Sequence, residues 1–171
     1  DINQVSITDE RKKAVDFSSG YYDVSQTVIT VKGSKIANAK SIADLKGAKL
    51  GAQVGTTSYS TITDVIQPTQ SPAVFDTNDV AKQALANGQI DGLVVDLPTA
   101  FYITAVDLEN GLIVGQFPAK AGGEQFGLVL SKGSKLTKDV TAAVDALRAN
   151  GTLAKIADTW LASTVGAPVL K

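Results

Sequence analysis

Strand-like and helix-like segments alternate along much of this chain, and that alternation limits its possible folds more than any other feature. Segments 48–53, 73–75, 90–95 and 112–115 are short and strand-like. Between them lie stretches with apolar residues at helical spacing, ended by Gly or Pro. This order is typical of a mostly parallel sheet that helices cover on both faces through right-handed crossovers. We therefore predict an α/β fold that contains a Rossmann-like lobe.

Further strands and helices are predicted on both sides of this alternating region and within it. Alternating or β-branched residues indicate strands, and apolar residues at helical spacing followed by Gly or Pro indicate helices. The further strands are 1–7, 24–31 and 126–130, and the longer helices are 57–66, 98–110, 136–150 and 153–161.

Composition excludes several classes of function. The 171 residues carry 16 Lys and Arg against 17 Asp and Glu, so the net charge is -1 and there is no basic footprint for nucleic acid. The chain has no His and no Cys, which excludes a Ser-His-Asp triad, a thiol nucleophile, imidazole or thiolate metal sites and disulfides. No stretch approaches the roughly 18 apolar residues of a membrane span. We expect no cofactor, no metal and no nucleic-acid partner.

Polar residues follow two of the predicted strands, at the edge where open parallel sheets bind ligands. The turn at 55–58 (GTTS) follows strand 48–53 and leads into a helix, whose N-terminal N–H groups favour an anion. Asp96 follows strand 90–95 and would bring a negative charge to the mouth of the sheet. Taken alone, the turn is better explained by Thr57 or Ser58 capping the helix, and capping explains Asp96 as well as ligand binding does, so neither position identifies a binding site alone.

Arg11 lies in a second charged segment, 8–13 (TDERKK). Taken singly, such a residue is more often a solvated charge on a helix than a ligand-binding group. A guanidinium can pair with a carboxylate through two parallel hydrogen bonds, however, and an aspartate can hold an ammonium group. Arg11, the GTTS turn and Asp96 together therefore have the chemistry to bind a zwitterion such as a free α-amino acid.

Five segments of the sequence, in this order, resemble the polar amino-acid binding proteins of ABC importers. They are SITDERKKAVDFSSGYYD (6–23), SIADLKGAKLGAQVGTTS (41–58), ALANGQIDGLVVDLPTA (84–100), EQFGLVLSKGSKL (124–136) and LRANGTLAKIADTW (147–160). Over nearly its whole length the chain resembles a type II periplasmic, or extracellular, solute-binding protein of family 3. The resemblance implies a non-enzymatic protein outside the cytoplasmic membrane, which binds a polar α-amino acid between two lobes and delivers it to the permease of an ABC importer.

The resemblance also assigns a role to each end of the ligand. Arg11 would clamp the α-carboxylate, and Ser6 would donate its hydroxyl proton to the same group. The turn that contains Thr56 and Thr57 would complete this clamp from the other lobe. Asp96 would bind the α-ammonium group.

Two glutamines complete the predicted ligand-binding set. Gln53 ends its strand at a position that contacts the ligand side chain in relatives. Gln4 stands where a small residue is more usual, so it bears on the width of the pocket on that side.

The resemblance covers only part of a complete family member. Such proteins begin with a strand, an aromatic-bearing loop and two helix-strand units that have no counterpart here, which implies that about the N-terminal third is absent. The expected remainder is one complete lobe, with parts of a second. The predicted boundaries are 1–23 for the remnant of the first lobe, 24–31 and 126–130 for two crossover strands, 32–125 for the second lobe, and 131–171 for C-terminal helices that normally pack on the first lobe.

Apolar residues of these remnants are expected to be exposed unless another chain covers them. A complementary N-terminal fragment or a swapped dimer would provide that cover. We expect the chain alone to bind its ligand weakly or not at all. The residues concerned are Ile2, Val5, Leu147, Ile156 and Trp160.

Two other functions are open to a chain of this fold. An enzyme similar to the cyclohexadienyl dehydratases would need a general acid in the cleft, and without His this would be Glu124, Asp96 or a lysine. The ligand-binding domain of a sensor or receptor would instead be flanked by membrane segments.

Overall fold

A computed structural model of the protein describes residues 1–118, 123–161 and 166–171. The chain divides into two compact units, which we name the sheet unit and the helix unit. The sheet unit comprises Ser25–Pro118 with Thr164–Lys171, and the helix unit comprises Asp1–Val24 with Ala119–Ser163.

The described residues form short strands and helices. The strands are β1 (Val15–Phe17), β2 (Tyr22–Val24), β3 (Gln26–Val31), β4 (Leu50–Gln53), β5 (Ala73–Phe75), β6 (Gly92–Asp96), β7 (Gly111–Gln116), β8 (Glu124–Phe126) and β9 (Val129–Ser131). The α-helices are α1 (Arg11–Ala14), α2 (Thr57–Thr61), α3 (Asn78–Ala86), α4 (Leu97–Tyr102), α5 (Thr137–Ala149) and α6 (Thr152–Leu161). A 3-10 turn spans Ala43–Leu45, and π-helical turns at Ile62–Ile66 and Ile103–Asp107 continue α2 and α4.

The sheet unit is built on five strands in the order β5-β4-β6-β3-β7. β4 pairs in parallel with β5 and with β6, whereas β3 runs antiparallel to both β6 and β7. Four of the five strands therefore point the same way, which confirms the predicted α/β class with a parallel-dominated sheet. β3 is buried along nearly its whole length, and this explains why its sequence is an almost continuous β-branched run.

Two apolar clusters, one on each face of the sheet, form the core of the sheet unit. Val28 and Val94 belong to one cluster, and Ile29 and Leu93 belong to the other. Neighbouring residues of one strand point to opposite faces, so β3 and β6 contribute to both clusters at once. Helices therefore cover both faces, as the alternating sequence predicts.

The C-terminal residues pack within the sheet unit. Val169 forms a parallel bridge with Gln116 of β7, and Leu170 is buried in the cluster that contains Val28. A side chain at Gly115 would collide with Leu170, so this position of β7 needs a glycine. The described residues 166–171 thus differ from the predicted boundary, which places all of 131–171 with the first lobe. The assignment of the two units to the lobes of a binding protein stays a prediction.

The helix unit contains two short antiparallel ribbons, β1-β9 and β2-β8, with α5 and α6. The predicted single strand over 126–130 is wrong, because Gly127 and Leu128 separate β8 from β9. The N–H of Gly127 donates to the Val5 carbonyl, and the N–H of Leu128 donates to the Ser18 hydroxyl. The predicted strand over 1–7 is also wrong, since within that segment the described pairing is a single bridge between Ser6 and Phe126.

The predicted helix over 98–110 is shorter than expected. The α-helical part ends at Tyr102, and the following π-helical turn ends where the N–H of Leu108 donates to the Ile103 carbonyl. Asn110 adopts a left-handed conformation with a φ of 59°. Gly111, the predicted helix stop, instead begins β7.

The two C-terminal helices are confirmed at 137–149 and 152–161 within one residue of their predicted bounds. Val144 is the buried residue of α5, and α6 has no buried residue among those that the structure describes. Leu147, Ile156 and Trp160 are exposed, as predicted, and so is Ile2. Val5 is half-buried, which differs from the expectation. No helix of the described segments is long and apolar enough to span a bilayer.

Candidate functional site

Asp96 ends β6 in the sheet unit, directly opposite Gln26 of the antiparallel strand β3. The Gln26 side chain donates from Nε2 to Oδ1 of Asp96 over 2.6 Å. Asp96 occupies the N-cap position of α4, yet its side chain makes no capping hydrogen bond there. The capping explanation for this aspartate is therefore not realised, and its carboxylate is held by a strand residue instead.

The same amide connects Asp96 to the start of α2. Gln26 Nε2 also donates to the Thr57 hydroxyl over 3.2 Å, and Gln26 Oε1 accepts a hydrogen bond from the Ser58 hydroxyl over 2.7 Å. Gln26 and Ser58 are both buried. Thr57 and Asp96, which were predicted to bind opposite ends of the ligand, are thus joined through one buried side chain.

Thr56 and Gln53 form a local turn at the end of β4. Thr56 is the N-cap of α2, and its hydroxyl accepts the N–H of Tyr59 and donates to the Gln53 carbonyl over 2.7 Å. Thr57 and Ser58, the two predicted caps, are therefore not the capping residues. This turn leaves the Thr57 and Gln53 side chains partly exposed at the end of the sheet.

Arg11 and Ser6 lie together in the helix unit. Thr8 accepts the N–H of Arg11 through its hydroxyl and so starts the turn that leads into α1. The Arg11 guanidinium folds back and donates from Nη1 to the Ser6 carbonyl over 2.9 Å. Arg11 is therefore fixed against the segment that contains Ser6 rather than being a solvated charge.

The Ser6 hydroxyl has a carboxylate partner within the helix unit. Ser6 is 2% exposed, and its Oγ donates to Oε1 of Glu124 over 2.6 Å. A hydroxyl carries one proton, so this hydrogen bond uses the proton that Ser6 was predicted to offer to the ligand. A ligand carboxylate that takes this proton would have to replace Glu124.

Gln4 has an unusual backbone conformation. Its φ is 48°, in the left-handed region that glycine adopts most readily. The Gln4 N–H donates to the Tyr21 hydroxyl over 3.1 Å. Burial raises the pKa of Tyr21, which keeps this hydroxyl protonated. A glycine at this position would adopt the same backbone conformation at less steric cost.

The predicted ligand-binding residues are shared between the two units. Gln4, Ser6 and Arg11 lie in the helix unit, which supplies a guanidinium, and Gln53, Thr56, Thr57 and Asp96 lie in the sheet unit, which supplies a carboxylate. Among the described residues there is no group of three or more acidic side chains that could hold a metal ion.

A family model decides which proteins this chain is related to. The model for bacterial extracellular solute-binding proteins, family 3, matches residues 1–163. The chain belongs to this family. Its α/β fold is accordingly that of the type II periplasmic binding proteins, as the sequence predicts.

Individual members of this solute-binding family are similar to the chain at about one residue in three. The L-arginine-binding protein of Pseudomonas aeruginosa is 32% identical over 96% of the chain and 65% of that relative. The glutamine-binding protein of an ABC transporter from Bacillus subtilis is 32% identical over 92% of the chain and 55% of that relative. A solved structure of an ancestral arginine-binding protein bound to glutamine has a TM-score of 0.76 and 32% identity, with 92% of the chain and 68% of that structure covered. The chain thus spans less than two thirds of the length of these two curated relatives.

Gln26, which links Asp96 to Thr57, was not predicted as a candidate from the sequence, and Glu124 was predicted only as an acid for an enzyme. Gln26 stands near the start of a predicted strand, where a polar side chain in an apolar run could have indicated a buried partner. The partners of Glu124 could not be found from spacing, because Ser6 lies 118 residues away in the chain.

Proposed function

We propose that this protein is the amino-acid-binding component of an ABC importer, or a part of one, and that it binds a free polar α-amino acid without chemical conversion. Family membership supports this proposal, and so do the functions of two relatives, an arginine-binding and a glutamine-binding protein. The observation that carries it is the Asp96 carboxylate, which ends a strand of the sheet and accepts a hydrogen bond from the buried Gln26 side chain.

In this proposal the protein binds both charged groups of the amino acid, the α-ammonium and the α-carboxylate. Asp96 binds the α-ammonium group, and Thr57 donates to the α-carboxylate from the same unit. Arg11 pairs with the α-carboxylate through its guanidinium, whose geometry matches a carboxylate. A few charge-assisted hydrogen bonds of about 1.5–3 kcal/mol each are enough for the roughly 8 kcal/mol of a micromolar complex.

Gln53 and Gln4 are proposed to contact the ligand beyond its head group. Gln53 is half-buried at the end of β4, beside the turn that contains Thr56. Ser6 would donate to the ligand carboxylate only after its hydroxyl breaks its hydrogen bond to Glu124. Replacing Glu124 with Gln weakens the competing acceptor, so E124Q should bind the ligand at least as well as the natural chain.

The partners of the proposed function follow from the family. The permease subunits of an ABC importer would receive the ligand outside the cytoplasmic membrane, in line with the extracellular character of the family. We also propose that a complementary N-terminal fragment, or exchange between two copies, covers the apolar side chains that the helix unit exposes. The 171-residue chain alone then binds weakly or not at all.

Calorimetry with a panel of amino acids tests this function. The titrations are made on the chain alone and on the chain together with the N-terminal segment of a relative, with L-arginine, L-glutamine, L-histidine and L-cystine as probes. We expect binding to strengthen when the segment is present and to require a free α-ammonium group. Equal heats from an amino acid and its deaminated analogue would contradict the proposal.

A further inference from the structure

The connection between β3 and β4 carries a strong local positive charge. Residues 32–49, which we name the lysine loop, hold five of the chain's 16 Lys and Arg but only one of its 17 Asp and Glu, Asp44. The net charge of -1 for the whole chain hides this asymmetry. The five lysines are all exposed: Lys32, Lys35, Lys40, Lys46 and Lys49. We propose that the lysine loop is a docking surface for the anionic lipid head groups of a membrane.

The lysine loop is fixed to the sheet unit by apolar side chains. Ile36, Leu45 and Ala48 are at most 2% exposed and belong to the apolar cluster that contains Val28. Apolar side chains of the loop thus point into the core, and the lysines between them point to solvent. The loop therefore presents its charges from an ordered backbone, not from a free tail.

Acidic side chains around the lysine loop hold it in place but do not balance its charge. Asp91 accepts the N–H of Lys49 over 2.6 Å and pairs with Nζ of Lys35 over 2.9 Å. Asp44 accepts the N–H of Lys40 over 3.0 Å. Three acidic side chains lie on or beside the loop, against five lysines: Asp44, Asp91 and, at its edge, Glu109. The surface keeps a net positive charge.

The lysine loop lies at the end of the sheet opposite to the proposed ligand residues of the sheet unit. β3 begins with Gln26, which pairs with Asp96, and ends at Val31, where the loop starts. The loop then leads into β4, which ends at Gln53. A strand of six residues is roughly 20 Å long, more than twice the Debye length of about 8 Å in physiological salt. A membrane bound to the loop therefore does not cover the ligand residues of this unit.

The composition of the lysine loop favours a lipid surface over a protein or a nucleic acid. Protein interfaces are enriched in Arg and aromatic residues and depleted in Lys, and stacking on single-stranded bases requires aromatic side chains. The loop contains neither Arg nor an aromatic residue. Lysines offer compact, strongly hydrated charges, and clusters of about four to eight basic residues are typical of binding to anionic lipids.

The proposed adhesion depends on charge alone. Among the described residues 32–49 no large apolar side chain is exposed, so nothing in this surface would insert into the hydrocarbon of a bilayer. Attraction between exposed lysines and lipid phosphates is reversible and is screened by salt. Such a surface would keep an extracellular protein near the membrane that contains its proposed permease. The inference relies on the proposed function only for this last step.

Co-sedimentation of the full chain with phospholipid vesicles tests the inference. Vesicles with equal parts of phosphatidylcholine and phosphatidylglycerol are compared with vesicles of phosphatidylcholine alone, at low ionic strength and without amino acid. Each lysine near an anionic surface strengthens binding about fivefold. The triple variant Lys40→Gln, Lys46→Gln and Lys49→Gln should therefore bind the anionic vesicles about a hundredfold more weakly. High salt should release the natural chain.

Two matched variants separate the position of the charges from their number. The first replaces three exposed lysines of the helix unit with Gln, at Lys13, Lys135 and Lys138, and should keep most of the binding. The second places Arg at the three substituted positions of the lysine loop and should bind like the natural chain, because the charge is kept. Thermal melts followed by circular dichroism check that every variant is folded.

Three results would overturn the inference. The first is equal binding of the natural chain to the anionic and the neutral vesicles. The second is an equal loss from the two glutamine variants, because binding would then follow net charge and not this surface. The third is capture by immobilised poly-L-glutamate, abolished by the lysine-loop variant, in a chain that ignores anionic vesicles, since the partner would then be an acidic protein.

The vesicle experiment and the amino-acid titrations can fail separately. Calorimetry without lipid that detects no amino acid bound, even with the N-terminal segment present, would contradict the proposed function and leave the vesicle result intact. Failure to distinguish the two kinds of vesicle would overturn this inference and leave the titrations unaffected.

Discussion

The sheet unit and the helix unit differ sharply in how much apolar core they contain. Both apolar clusters of the described residues belong to the sheet unit. In the described part of the helix unit the buried hydrophobic residues are Val24, Phe126 and Val144, while Trp160 is 77% exposed. Burial of apolar surface is the main favourable contribution to folding. The sheet unit is therefore stabilised by its own apolar core, whereas the few buried apolar side chains of the helix unit stabilise it much less.

This difference bears directly on the proposed site. The sheet unit holds Asp96 and Thr57 in a hydrogen-bonded network that depends on its own strands. The helix unit holds Arg11 through a bond to the Ser6 carbonyl, within a unit that has less core around it. We infer that the ammonium side of the site is formed in this chain, whereas the carboxylate side depends more on whatever covers the helix unit.

Truncation of core residues should produce the largest effect and should separate the two units. Leu93→Ala, at a position with 0% exposure, should lower the free energy of unfolding by about 2–5 kcal/mol. Ile156→Ala in α6, at 51% exposure, should lower it by less than about 1 kcal/mol. Urea unfolding followed by circular dichroism measures both. Equal losses from the two variants would show that α6 is packed as tightly as the sheet and would break the comparison.

A smaller, stabilising effect is expected at Gln4. Glycine adopts a left-handed φ without the steric cost of a side chain, so Gln4→Gly should stabilise the helix unit by about 1 kcal/mol. Gln67→Gly is the matched variant in the sheet unit, at a φ of 51°. Thermal melts of both variants check the expectation. A lower melting temperature for both would show that the glutamine side chains contribute more than their backbone strain costs.

The smallest effects concern two aspartates, one in each unit. A hydrogen bond from Lys132 lowers the pKa of Asp16 from its usual 3.8, and hydrogen bonds from the N–H of Lys40 and from Ser41 lower that of Asp44. Because both folded pKa values are depressed, the stabilisation is fully present above about pH 4 and is lost as the pH falls through the folded values.

Melting temperatures measured from neutral to acidic pH test this expectation. Asp16→Asn and Asp44→Asn should each melt slightly below the natural chain at neutral pH, and the differences should vanish in strong acid. Since Asp16 joins β1 to the start of α5, through Gly133 and Thr137, its loss should matter more in the unit with less core. A constant difference at every pH would show that the carboxylate charge plays no part.

Local patterns predicted much of the fold, because they reflect local physics. The strands and helices of the sheet unit follow from apolar spacing and from caps such as Thr77, which accepts the N–H of Val80. The strands at the start of the chain and at 126–130 were wrong, because their short ribbons depend on partners more than one hundred residues away. No local pattern encodes such pairings.

The charged residues of the candidate site were predicted from the sequence, but the hydrogen bonds that hold them were not. Asp96 stands out from the sequence because it directly follows a buried strand, whereas Arg11 was assigned a role only through the resemblance to the family. The bridge from Gln26 to Asp96 and the bond from Ser6 to Glu124 link residues 70 and 118 positions apart. Only the folded chain brings these partners together, and their ligand-binding roles stay predictions.

The most direct test of the proposed binding of a zwitterion removes the positive charge of Arg11 in the helix unit and the negative charge of Asp96 in the sheet unit. L-Glutamine and L-arginine are titrated calorimetrically into the chain supplemented with the N-terminal segment, and into its Arg11→Ala and Asp96→Ala variants. Lys12→Ala and Asp79→Ala, which remove exposed charges of the same signs, are the controls. We predict a loss of at least about 2 kcal/mol of binding free energy for each site variant and none for the controls. Unchanged affinity in both site variants would contradict the account.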